Sequence, residues 1–126
     1  MQNSIMIVED HSAVRASLHA WLEMSFPQYR IIEATNGRQA VESVLHTSPQ
    51  LVLMDLSLPF LNGIEATRQI KALAPETIVV ILTIYEGEHY RADAFDVGAS
   101  AYILKRKMHS ELIPTLSELI GTHLTV

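Results

Sequence analysis

The chain reads as an α/β domain with a parallel sheet covered by helices on both faces, and three observations predict this. Short apolar runs alternate with segments of helical periodicity, so that a strand–helix pair recurs five times. The joins are short and carry proline or glycine. Four of the five runs are apolar throughout rather than alternating, as strands buried on both sides require.

Each element has its own justification. Ser4–Val8 is an apolar run stopped by Glu9 and Asp10, a first strand. Val14, Leu18, Trp21 and Leu22 then form the apolar stripe of a helix that Pro27 closes. The stretch YRIIEA is a second strand, and its Arg30 and Glu33 suit the sheet edge. Asn36 with Gln39 forms a capping box for a helix whose stripe is Ala40, Val41, Val44 and Leu45, with Pro49 beyond it. LVLM, residues 51–54, is the third strand. Asn62-Gly63 opens a helix from Ile64 to about Leu73, ended by Pro75. TIVVILT is a strand rich in β-branched residues. Glu86–Val97 reads as a helix with Gly98 just past its end. AYIL is the fifth strand. The last helix is expected over His109–Ile120, with Leu112, Leu116, Leu119 and Ile120 facing inward and Pro114 bending it or delaying its start.

Composition narrows the function classes. A chain of 126 residues suits one domain with one real core. No apolar run approaches the ~18 residues of a membrane span, and the opening MQNSIMIVED has no basic region of the kind a signal peptide carries. There is no cysteine, hence no thiolate metal site and no disulfide. A cytoplasmic location is expected. The net charge of −5 argues against direct contact with nucleic acid.

The informative polar residues sit at strand ends. The first strand ends in Glu9-Asp10, the third in Asp55, the fourth in Thr83 and the fifth in Lys105. In open α/β sheets ligands bind outside the carboxyl ends of the strands, so these groups are expected to converge on one rim. Taken singly, Glu9-Asp10 fits a helix cap and Asp55 a turn residue; their joint placement argues for a site. Two unit charges ~4 Å apart interact by about 4 kcal/mol at an effective dielectric of about 20. Three carboxylates facing one lysine therefore favour a divalent cation. All the ligands are oxygens and few come from the protein, which favours Mg²⁺ over Ca²⁺. A Mg²⁺ beside a carboxylate, a lysine and a hydroxyl suits phosphoryl transfer: Asp55 attacks phosphorus, and Lys105 neutralises phosphoryl oxygens.

At these residues the chain resembles the receiver domain of two-component response regulators. IVEDH, VLMDLSLPFLNGIEA, ILTIYEGEHY and GASAYILK follow that pattern in order and spacing over nearly the whole chain. The resemblance implies a flavodoxin-like (βα)5 three-layer sandwich, its parallel sheet ordered 2-1-3-4-5. It implies that Asp55 accepts a phosphoryl group from a histidine of a sensor kinase. Asp10, Asp55, Glu9 (mostly through water) and the backbone carbonyl of Ser57 would hold Mg²⁺. Thr83 would turn to hydrogen-bond the phosphoryl group, and Tyr102 would swing inward on activation. Ser57 and Tyr85 stand where receivers tune hydrolysis of the acyl phosphate, and Tyr85 is expected to screen it. Such a domain is an enzyme only in assisting its own phosphorylation and dephosphorylation.

The likeness is greatest to the NarL/FixJ subfamily, whose receivers continue into a LuxR-type helix-turn-helix domain. Residues 1–126 are therefore expected to be the receiver part of a longer transcription regulator, with a stand-alone receiver as the alternative. Departures from the pattern are Glu9 in place of an aspartate, Ile84 where a small residue is common, and Arg106 where proline often follows the lysine. Ile84 is expected to narrow the approach to Asp55. A cis non-proline bond costs ~2.5–4 kcal/mol, so the Lys105–Arg106 bond is expected to be trans.

Rival readings are an aspartate-nucleophile phosphatase, which needs an acid/base aspartate where Ser57 stands, and a degenerate receiver, which the intact Asp10, Asp55, Thr83 and Lys105 oppose. The six histidines show no zinc spacing and are expected at the surface. The glycines form no nucleotide-binding loop. Trp21 is expected in the core. Tyr90, Ala94, Tyr102 and Arg106 outline a candidate partner surface, on which the receiver could form a homodimer when phosphorylated.

Overall fold

The computed structural model describes residues 3–124. Its elements are β1 (Ser4–Val8), α1 (Ser12–Ser25), β2 (Arg30–Ala34), α2 (Gly37–Thr47), β3 (Leu51–Met54), α3 (Gly63–Leu73), β4 (Ile78–Thr83), α4 (Glu88–Asp96), β5 (Ala101–Leu104) and α5 (Met108–Leu124), with a 3₁₀ turn at Lys105–Lys107 before the last helix. The five strands are parallel and ordered β2-β1-β3-β4-β5. The order reverses between β1 and β3, so the crevice at their carboxyl ends is the topological switch point.

The period of two along each strand divides the core into two layers. Ile5, Ile7, Leu51, Leu53, Val80, Leu82 and Ile103 pack under α1 and α5 with Leu18, Leu22, Leu112, Leu116 and Ile120. Met6, Val8, Val52, Met54, Val79 and Ile81 face the other way, against Ala40, Val44, Ala66, Ile70 and Ala94. β1 and β3 are buried at every position, whereas β5, the second edge of the sheet, is half-buried apart from Ile103. Its apolar run suggested burial on both faces, but an edge position leaves it partly open.

The starts of α2 and α3 follow asparagine side-chain caps. Asn36 Oδ1 accepts the Gln39 N–H at 2.8 Å, and Gln39 Oε1 reaches back to the Thr35 N–H at 2.6 Å, one residue before the cap. Asn62 Oδ1 accepts the Glu65 N–H at 2.9 Å. Four sequence expectations are corrected. Leu45 lies outside the α2 stripe, 59% exposed. α4 begins at Glu88 with Gly87 as its cap, two residues later than expected. Pro114 neither delays α5 nor ends it: the helix already starts at Met108 and runs through the proline. Ala94 is fully buried, so it cannot belong to the partner surface proposed for its helix face.

Candidate functional site

Four of the residues singled out at strand ends meet over the switch point. The registers put Val8 beside Met54, so the chain leaves β1 and β3 side by side, and the Asp55 N–H donates to the Val8 carbonyl at 3.1 Å. Glu9 and Asp55 are both buried, while Asp10 beside them is exposed. One carboxylate oxygen from each of Glu9, Asp10 and Asp55 lies within 4.8 Å of the others. Lys105 arrives from the end of β5, with Nζ 2.8 Å from Glu9 Oε1 and 3.4 Å from Asp55 Oδ2.

The Asp55 side chain is held at both oxygens. Oδ2 faces Lys105, and Oδ1 accepts the Ser57 N–H at 3.3 Å. Even so, burial pushes its carboxyl above the usual range, and the nearby Glu9 charge adds to this; the Lys105 ammonium and the Ser57 N–H oppose it without cancelling it. Burial pulls the Lys105 ammonium down, yet the Glu9 hydrogen bond and the charges of Asp55 and Glu9 outweigh it, and the net shift is upward. One lysine thus serves two buried carboxylates and leaves Asp55 short of positive charge. Glu9 has further commitments, since Oε2 accepts the His11 N–H at 3.1 Å. Asp10 is the most open of the three. An all-oxygen set with residual negative charge fits a hard divalent cation.

Thr83 ends β4, one strand away from Asp55, and is fully buried. Its Oγ1 accepts the Tyr85 N–H at 3.3 Å. Tyr102 on β5 donates its hydroxyl to the Tyr85 carbonyl at 2.7 Å. The Tyr85 ring stacks on Tyr90 with centroids 4.7 Å apart. Together with Leu56, Ser57 and Arg68 these two rings line a cleft of about 600 Å³ beside the loop that follows Asp55. Ile84 is largely exposed. Arg106 pairs with Glu86 at 3.0 Å, and the Lys105–Arg106 peptide is trans, as is every other bond among the described residues.

Two features of the site were not singled out by sequence reasoning. A Cβ on Gly63 would lie 2.2 Å from the Asp55 carbonyl oxygen, so this glycine allows α3 to start directly against the strand end that carries Asp55. The half-buried Tyr90 ring stacks on Tyr85. The helix-opening Asn62-Gly63 was legible, but only the packing reveals what the missing Cβ allows. Of the histidines, His11, His46, His89 and His109 are exposed and His19 is half-buried; the expectation for His123 lies outside the described side chains. Trp21 is partly buried against the α1–α5 core layer and stacks on His109 at 5.7 Å.

Comparison with known proteins gives the family. The response regulator receiver domain profile matches residues 5–117. The transcriptional regulatory protein YdfI of Bacillus subtilis is 38% identical over 94% of this chain and 55% of its own length. The response regulator protein VraR of Staphylococcus aureus is 36% identical over 83% of this chain and 50% of its own. The chain thus spans about half the length of these relatives. Among solved structures, a LuxR-family two-component response regulator from Aurantimonas superposes with a TM-score of 0.88 at 32% identity, covering 97% of this chain and 87% of that one. The receiver domain of a sensor histidine kinase from Pseudomonas aeruginosa, with magnesium coordinated in its active-site cleft, superposes at 0.84 and 29% identity, covering 96% and 99%. No helix among the described residues is long and apolar enough to cross a membrane.

Proposed function

Because the chain belongs to the family of response regulator receiver domains, we propose that it is a phosphorylation switch in which Asp55 takes a phosphoryl group from a histidine of a partner sensor kinase. The observation that carries this reading is a buried carboxylate at a strand end, salt-bridged to Lys105 at 3.4 Å and left short of positive charge beside Glu9 and Asp10. An Asp55 oxygen attacks phosphorus in line with the phosphorus–nitrogen bond. That bond breaks, the imidazole leaves with the electron pair, and an acyl phosphate remains on Asp55.

Asp10, Asp55 and the Ser57 carbonyl would hold Mg²⁺, with Glu9 acting through water. When bound, the ion supplies positive charge to the phosphoryl oxygens. Lys105 leaves its carboxylate partners far enough to pair with the phosphoryl group. Thr83 exchanges its contact with the Tyr85 N–H for one to a phosphoryl oxygen, which loosens the β4–α4 loop. Tyr102 is tethered to that loop at the Tyr85 carbonyl and transmits the change to the α4–β5 face. Tyr85, two residues past Thr83, and Ser57, two past Asp55, flank the adduct and set its lifetime.

The relatives' names support an output in transcription; in this proposal a further domain exercises it, this domain makes no direct contact with nucleic acid, and phosphorylation promotes a homodimer. The setting is the cytoplasm. The domain acts as an enzyme only on itself. The test is incubation with Mg²⁺ and a small acyl phosphate. Intact mass should rise by one phosphoryl group, and Asp55→Asn should show no rise; phosphorylation of that variant to the same extent would refute the assignment.

A further inference from the structure

A polar chain on the outer side of the acidic cup has no place in the mechanism above. It starts at Arg15 on α1, mostly buried, with its side chain 17% exposed. Arg15 Nη1 donates to the Glu9 backbone carbonyl at 2.8 Å, and Nε donates to Glu33 Oε1 at 3.1 Å. The other Glu33 oxygen, Oε2, meets His19 Nδ1 at 2.6 Å. A carboxylate only accepts, so Nδ1 carries the hydrogen. His19 Nε2 lies 3.5 Å from Glu23 Oε2. The chain ties the edge strand β2 and the helix α1 to one peptide group, the one joining Glu9 to Asp10.

Arg15 supplies the hydrogen bond to that peptide's carbonyl, and the two peptides flanking it are fixed as well. The Glu9 N–H donates to the Ala34 carbonyl of β2 at 3.1 Å, the Glu9 carbonyl accepts from Arg15, and the Glu9 side chain accepts the His11 N–H just beyond Asp10. Asp10 itself is exposed and has no side-chain hydrogen bond among the described contacts. Its position must therefore come from the backbone. From this geometry we infer that Arg15, oriented by Glu33 and His19, is a positioning residue for the Glu9-Asp10 pair and so sets the affinity of the cup for a divalent cation. This rests on the reading of the cup as a Mg²⁺ site. Arginine suits the role because its planar fork serves two acceptors at once in fixed directions; lysine brings one charge on a flexible stem.

Positioning and plain electrostatics predict opposite signs, which makes the inference testable. Removing a cation beside a cation site should tighten Mg²⁺ binding if charge alone matters. Removing a positioning residue should weaken it, by about 10-fold, as losing an outer partner of a metal ligand commonly does. The experiment is calorimetric titration of Mg²⁺ into the wild-type chain, Arg15→Ala, Arg15→Lys and Glu33→Gln, with amide hydrogen exchange at Glu9 and His11 in metal-free buffer. Expected are weaker Mg²⁺ binding in Arg15→Ala, partial recovery in Arg15→Lys, a smaller loss in Glu33→Gln, and faster exchange at both amides. The rate of phosphorylation at saturating Mg²⁺ should stay within about twofold of wild type, so that the defect appears in the Mg²⁺ requirement alone. Tighter or unchanged Mg²⁺ binding in Arg15→Ala, or a rate loss at saturating Mg²⁺ with affinity unchanged, overturns the inference. If Arg15→Ala does not fold, Arg15→Lys carries the test, since it keeps the charge and removes the fixed two-acceptor fork: unchanged Mg²⁺ binding in that variant would overturn the inference. Failure of the wild-type chain to bind Mg²⁺ would instead overturn the underlying reading of the cup.

Discussion

The two halves of the site's rim are built differently. The half formed by β1, β3 and β5 is held by charge: Lys105 Nζ lies 2.8 Å from Glu9 and 3.4 Å from Asp55, largely out of solvent. The half formed by β4 and its following loop is held by a hydroxyl, a carbonyl and stacked rings, in Thr83, Tyr85, Tyr90 and Tyr102. The first kind of contact is stiff and strong in a low dielectric; the second is worth about 1 kcal/mol per contact. The phosphorylation switch proposed above, which captures a highly charged group and then changes shape by a modest free energy, would use both. The charged half is preorganised, and the aromatic half can be rearranged by the loss or gain of one hydrogen bond.

The largest effects should come from the charged half. Lys105→Ala removes the ammonium from both Glu9 and Asp55, leaving the buried carboxylates with no cationic side chain bonded to them among the described residues. Phosphorylation by a small acyl phosphate should slow about 100-fold or more, the usual loss when a donor aimed at developing negative charge is deleted. Single-turnover kinetics followed by intact mass would check it, and an undiminished rate would mean that the charge cage is structural rather than functional. Gly63→Ala comes next. The added Cβ would meet backbone atoms, 2.2 Å from the Asp55 carbonyl and 2.7 Å from Leu56 Cα, and neither can rotate away. A loss of about 3 kcal/mol in urea unfolding is expected, the upper end of overpacking costs.

Asp55→Asn probes the same half without the phosphoryl group. Burial raises the Asp55 carboxyl in the folded state, with Glu9 adding to the shift and Lys105 opposing it. A raised folded pKa means that the folded chain holds this proton longer than the unfolded chain does. The contribution of Asp55 to stability is then present below the unfolded value, about 3.9, and is lost as pH rises through the folded value. In metal-free buffer Asp55→Asn should therefore melt at a higher temperature than wild type at pH 7. The gap should shrink as pH falls through the raised value towards 4, and Mg²⁺ should narrow it at pH 7 by stabilising only the wild type. A wild type more stable than Asp55→Asn at pH 7 without metal would show that Lys105 fully offsets the buried charge.

The two halves also differed in how far the sequence revealed them. The fold was legible almost to the residue, because apolar runs of the right length and the caps Asn36 and Asn62 are local signals. The charged half was legible too: strand ends announce themselves where an apolar run meets an ionisable residue, and parallel order brings those ends together. Arg15 was not legible, since a basic residue on a helix that also carries an apolar stripe looks like ordinary surface until β2 brings Glu33 beside it. The stacking of Tyr85 on Tyr90 was hidden for a similar reason. It joins a residue of the β4–α4 loop to one in the first turn of α4, which starts at Glu88 after its cap Gly87, a boundary that periodicity does not give. Leu45 and Pro114 misled because pattern rules assume that every apolar position packs and every proline breaks. Pro114 lies past the first turn of α5, so its ring removes one interior i→i−4 bond, yet the helix continues through it, its apolar face held against the sheet by Leu112, Leu116 and Ile120.

The smallest effect should come from the aromatic half, where Tyr102→Phe removes one hydroxyl and leaves the ring. The lost bond to the Tyr85 carbonyl is half-buried and short at 2.7 Å, and a neutral hydrogen bond of this kind contributes about 0.5–1.5 kcal/mol. The Tyr85 carbonyl lies on the loop that also offers its N–H to Thr83, so both ends of the same residue are tethered, one to β4 and one to β5. Freeing one end should lower the unfolding free energy only slightly, yet make the Thr83 contact easier to break. The variant should therefore show faster amide exchange at Tyr85 with little change in the rate of phosphorylation. Slower phosphorylation with unchanged exchange would place Tyr102 in the charged half after all, acting on the chemistry and not on the loop.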